Sequence, residues 1–148
     1  MSEKPRVIYI LIFLWLSLAA IFTLWGGYSL TIVIKIPAWQ ELGKLLPVIH
    51  FGYLMSTIGW FVFSSLFIII AYGTLRKDDW VWTTGLILST IFLAMFALML
   101  ASFMVNALMF FDFFSVTGLV TVVLTFITDL GIIFYLTRPA TKIYFETD

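Results

Sequence analysis

The chain has 148 residues, of which 63% are hydrophobic and only 11% charged, against roughly half and a quarter in an ordinary soluble domain. With a mean hydropathy of +1.13, its apolar surface exceeds what one globule of this size could bury in water, so the expected solvent is a lipid bilayer. Eight acids cancel eight bases, which removes the case for binding nucleic acid, and the absence of cysteine excludes disulfides, thiolate metal sites and thiol nucleophiles.

Fifteen of the sixteen charges fall into five short groups: Glu3 to Arg6, Lys35 to Lys44, Arg76 to Asp79, Asp112, and Arg138 to Asp148. Between them lie four apolar stretches, each longer than the roughly 20 residues that cross a hydrocarbon core as a helix. They predict an all-α, integral membrane four-helix bundle, one transmembrane domain over residues 1–148 with helices at about 7–34, 48–75, 80–105 and 113–137. A membrane barrel would need segments of about 10 residues with alternating polarity, and these runs are continuously apolar.

Taken in order, the first stretch is too long for a signal-peptide core and is followed by no cleavage-like site, so it should remain as an anchor. The connection after it reads KIPAWQELGKLLP. Pro37 can open a short helix over about 37–46 that sets Trp39, Leu42, Leu45 and Leu46 against Gln40, Glu41 and Lys44, the pattern of an interfacial segment on the outer side. Arg76-Lys77-Asp78-Asp79 is short enough to force helices 2 and 3 into an antiparallel hairpin, with Asp78 or Asp79 placed to cap helix 3, as Asp112 is to cap helix 4. Pro139 should stop or redirect helix 4 and leave Ile143, Tyr144 and Phe145 on the inner membrane surface. With a cytoplasmic amino terminus, six Lys and Arg lie inside and two, Lys35 and Lys44, outside, so both termini are expected in the cytoplasm of a cell with a multi-pass plasma membrane protein. Trp25, Trp39, Trp80, Trp82, Tyr28 and Tyr135 fall near these boundaries, as aromatic belts do.

Three boundary motifs carry a resemblance. Lys4-Pro5 before helix 1, Ala71-Tyr72-Gly73 with Trp80-x-Trp82 across the hairpin, and Arg138-Pro139-x-x-Lys142-x-Tyr144-Phe145 after helix 4 resemble a broad set of uncharacterised small four-transmembrane-helix proteins of bacteria and archaea. This sequence departs from that group in having Lys4 where the group has Arg, and Asp78-Asp79 in a hairpin that is basic there. The resemblance implies fold and topology, and no activity or cofactor.

Chemistry can be tested by inventory. His50 is the sole histidine, so a bis-His haem, a multi-His metal site and a Ser-His-acid triad cannot be assembled in one chain. His50, Asn106 and Asp112 share the outer rim, where an interfacial role outweighs a metal site lacking three or four convergent ligands. Met95, Met99, Met104 and Met109 drift around their helix at spacings of four and five, which suits packing rather than a copper path. No cofactor is expected.

Asp129 is the one charge inside a span. It lies nine residues before Arg138, roughly 13 Å from the inner end, where a charged carboxylate costs about 2.5 to 3.5 kcal/mol on insertion scales. The same depth in the other helices reaches Ser17, Ser64, Ser65, Ser89 and Thr90, so a polar intramembrane layer is expected in which hydroxyls bond the acid and join the helices. The function read from this is a non-catalytic accessory or scaffolding subunit of a larger membrane complex, such as a respiratory or monooxygenase assembly, with the bilayer and other membrane subunits as partners. The competing reading is a small homo-oligomeric transporter or channel with Asp129 lining an ion or proton path.

Overall fold

In lipid no water is present to bond a free peptide group, so a continuous apolar run must satisfy its backbone internally, and the helix does so within one segment. The computed structural model describes residues 6–35, 46–109 and 113–146 and contains five helices. They are α1 (Arg6–Lys35), α2 (Leu46–Arg76), α3 (Trp80–Met109), α4 (Phe113–Leu136) and α5 (Pro139–Glu146). The first four are long and apolar enough to cross a membrane, over Arg6–Ile34, Leu54–Arg76, Trp80–Ala101 and Gly118–Leu136. The expected interfacial segment falls almost wholly on residues 36–45, outside the described residues, as does Asp112; Leu46, its last residue, opens α2.

Each span buries a stripe that repeats every three and four residues. On α1 the stripe is Ile8, Leu11, Trp15, Leu18, Phe22 and Ser29; on α4 it is Gly118, Val122, Thr125, Asp129, Ile132 and Leu136. This seven-residue period is that of left-handed helix packing, in which a side chain of one helix seats between those of the next. α1 packs along α2 and α3 along α4, and the two pairs join through α1 and α4. α2 and α3 meet at the hairpin, where a Cβ on Gly73 would stand 2.5 Å from Val81 Cγ2. Further along, rings bridge them: Phe63 and Phe67 lie 5.1 and 5.3 Å from Phe92. Phe22 of α1 closes this cluster, with ring centroids 5.2 to 6.1 Å from Trp60, Phe63, Phe67, Phe92 and Phe96.

The hairpin turn is closed by main chain. Lys77 adopts a left-handed φ of 66°, its N–H bonds Thr74 O at 3.4 Å, and the Asp78 N–H reaches Gly73 O at 3.0 Å, the paired bonds of a Schellman ending. The Asp78 carbonyl then accepts the Val81 N–H at 3.1 Å and starts α3.

Pro139 opens a new helix, α5, after α4 ends, and one side of it packs on the bundle. The chain turns at Thr137 and Arg138, Thr141 Oγ1 donates to Tyr135 O at 2.6 Å, and this bond folds α5 back across the bundle. Thr141 and Phe145 are buried, Tyr144 donates its phenolic O–H to Thr74 O at 3.4 Å, and only Ile143 of the apolar triplet points away. Trp82 Nε1 donates to Leu136 O at 3.0 Å and so satisfies one of the carbonyls that α4 leaves open at its end.

Candidate functional site: a buried carboxyl between three helices

The buried stripe sets Asp129 inward while its neighbours Ile127, Leu130 and Phe134 face outward. Four side chains then meet the same level: Trp15, Phe67, Ser89 and Asp129 each lie nine residues from the hairpin end of their helices, counted from Arg6, Arg76, Trp80 and Arg138. At 1.5 Å per residue that level is about 13 Å into the bundle. All four are fully buried, with 0% exposure.

Trp15 stacks on Phe67, with centroids 5.6 Å apart and planes inclined by 22°. The other side of the indole rests on α3 at Gly85, where an added Cβ would lie 3.2 Å from Trp15 Cζ2 and 3.4 Å from Leu136 Cδ1. One turn along α3, Ser89 is the hydroxyl beside the Asp129 carboxyl. Trp15 Nε1, Ser89 Oγ and both Asp129 oxygens are buried, and none of them meets strict hydrogen-bond geometry within the chain, although Ser89 stands within reach of the carboxyl. A buried polar group left unpaired costs about 1–3 kcal/mol, so this level is the least well satisfied in the described fold.

The other members of the expected polar layer are elsewhere. Ser64 is buried but serves the α1–α2 seam, donating to Ala19 O at 2.9 Å and pairing with Thr23 Oγ1 at 2.7 Å. Ser17, Ser65 and Thr90 turn from the acid and bond carbonyls of their own helices, Phe13, Phe61 and Leu86, at 2.8 to 2.9 Å. Depth therefore brings only Ser89 to Asp129, because a helix offers four directions at any level and a buried stripe uses one. Trp15 was not among the expected residues; its seven-residue spacing from Ile8 and Phe22 is the signal that places it on the inner stripe.

Toward the opposite end the interior turns apolar. Sixteen residues in from the hairpin end, Phe22, Trp60, Phe96 and Val122 form the next level, and with Trp25, Met99 and Thr125 they border a crevice of about 110 Å³. Trp25, half-buried, thus forms one wall of this crevice. Among the described residues no group of three or more His, Asp or Glu is placed to hold a metal ion, and the His50 and Asn106 side chains lie outside the description. Comparison with known families, with curated proteins and with solved structures finds no match to the chain.

Proposed function

We propose that the chain is a non-catalytic accessory or scaffolding subunit of a larger membrane protein complex, set in the plasma membrane with both termini in the cytoplasm. The observation that carries this reading is the contrast between inside and outside. The centre is filled by interlocked rings around Phe22, while Phe13, Leu24, Leu98 and other bulky side chains stand out along the spans, apolar surface suited to lipid and to neighbouring subunits. Without a hydrophobic driving force between helices in lipid, such partners associate by shape and by small-residue contacts, and Gly27 and Gly59 offer open positions of that kind. The orientation is supported by the six-to-two distribution of Lys and Arg. Gentle extraction followed by native mass spectrometry tests the assignment: a stoichiometric set of unrelated subunits supports it, and a closed homo-oligomer opposes it. For the orientation, single cysteines at Lys77 and Lys44 should label from opposite sides of intact cells, with Lys44 outside.

The second reading, a homo-oligomeric transporter or channel with Asp129 on its path, is favoured by one observation, the unpartnered carboxyl. Because Asp129 is fully buried within one chain, beside Ser89 of α3, such a path would run through each chain and not between copies.

A further inference from the structure

Two bases at the α4–α5 corner are treated differently by the fold. Lys142 pairs with Glu146 at 3.5 Å and stands 6.0 Å from the Trp82 ring. Arg138, one turn earlier and exposed, makes no ion pair among the described residues. Its guanidinium lies instead over two rings of the preceding turn, 4.5 Å from the Phe134 centroid and 5.1 Å from that of Tyr135. The main chain holds it there. The Arg138 N–H donates to Tyr135 O at 3.3 Å, and the Arg138 carbonyl accepts the N–H groups of Thr141 and Lys142 at 3.0 and 3.2 Å, so the residue is the fixed corner between α4 and α5. Arg76 repeats the arrangement at the end of α2, 5.7 Å over the exposed ring of Tyr72.

A guanidinium laid on a ring uses its face and leaves its edge, where the N–H groups point, for another partner. Phe134 belongs to the outward row of α4, with Ile127 and Leu130, and the span ends at Leu136. The free edge of Arg138 therefore stands where hydrocarbon gives way to headgroups. The acceptors at that level are phosphodiesters, and the arginine fork matches two oxygens of a phosphate in geometry as well as charge. The balance of charge at the hairpin end selects a lipid with a net negative headgroup. Five bases, Arg6, Arg76, Lys77, Arg138 and Lys142, stand against three acids, Asp78, Asp79 and Glu146, among the described residues. We propose that Arg138, laid on Phe134 and Tyr135, binds the phosphodiester of an anionic phospholipid in the leaflet adjoining the hairpin end, fixing one lipid at the corner of α4 and α5. This goes beyond the accessory-subunit reading and holds for either orientation of the chain.

The test is native mass spectrometry of the full chain in detergent micelles, titrated with phosphatidylglycerol or with phosphatidylcholine of the same acyl chains. The unmodified chain should retain phosphatidylglycerol in preference to phosphatidylcholine. Arg138→Gln should weaken the phosphatidylglycerol adduct about tenfold, the loss of one charge-assisted hydrogen bond. Arg6→Gln, which removes the same charge at the same end where no ring contact is made, should leave the adduct nearly unchanged. Should Arg138→Gln fail to fold, Phe134→Leu keeps the charge, removes the ring beneath it and should lower the adduct in its place. Equal retention of the two lipids by the unmodified chain, or an equal loss in Arg138→Gln and Arg6→Gln, would overturn the proposal, because charge alone then accounts for binding. Displacement of the lipid by excess inorganic phosphate would overturn it in favour of a free anion. Loss of a co-purifying subunit in Arg138→Gln, with lipid retention unchanged, would overturn it in favour of a protein carboxylate.

Discussion

The two ends of the bundle are held by different means. At the hairpin end, polar groups cross between elements: Trp82 to Leu136 O, Tyr144 to Thr74 O and Thr141 to Tyr135 O, with α5 seated over the helix ends. Beyond the carboxyl level toward the other end, the helices are joined by ring packing around Phe22, and the crevice below Trp25 and Trp60 is left between them. The comparison teaches where specificity comes from in a medium as apolar as the side chains themselves. Hydrogen bonds between elements gather at the hairpin end, while beyond the carboxyl level ring packing does most of the joining, helped by Ser64, which bonds Ala19 O and Thr23 across the α1–α2 seam.

The largest effect should come from the ring cluster. Phe22→Ala removes a side chain that touches five other rings and should cost about 3–5 kcal/mol, measured by detergent-induced unfolding in mixed micelles. Gly73→Ala comes next at about 1–3 kcal/mol, since its methyl group would meet Val81 at the point where α2 and α3 come together. Trp82→Phe removes the indole N–H that serves Leu136 O together with part of the ring and should cost at least about 1 kcal/mol in the same assay.

The smallest effect is a pH dependence at α5. Burial, reinforced by the neighbouring Tyr9, raises the Tyr144 phenol above its ordinary value of 10.0. A group whose value is raised in the folded state lends stability that is complete below its unfolded value and is lost as pH climbs through the folded one. Above about pH 10 the unmodified chain should therefore lose more stability than Tyr144→Phe, as read by the difference between their unfolding midpoints; equal slopes would mean that α5 does not hold the phenol as described.

The spans were legible in the sequence because charges mark their ends, and the depth of Asp129 followed from counting residues to Arg138. Which way each helix faces was far less legible. In water a polar face opposes a buried one, but Ile10, Phe13 and Leu24 face outward here and are as apolar as Ile8, Leu11 and Phe22 within. Ser17, Ser64, Ser65 and Thr90 share a level with Asp129 yet belong to other faces, and only the seven-residue repeat through Trp15, or through Gly118, Thr125 and Ile132, separates inside from outside. α5 was obscured for another reason. Its position depends on Thr141 reaching Tyr135 O around a turn, a contact that residue types at that spacing do not announce.

The central claim is that the interior is a packed and closed core in which Asp129 joins helices and does not line a path. Proton and potassium flux into liposomes containing the purified chain tests it most directly, with a pH-sensitive dye inside and an imposed gradient. The unmodified chain and Asp129→Asn, whose amide can still donate and accept hydrogen bonds, should both leak no faster than empty liposomes. A flux in the unmodified chain that Asp129→Asn abolishes while the bundle remains folded would contradict the account.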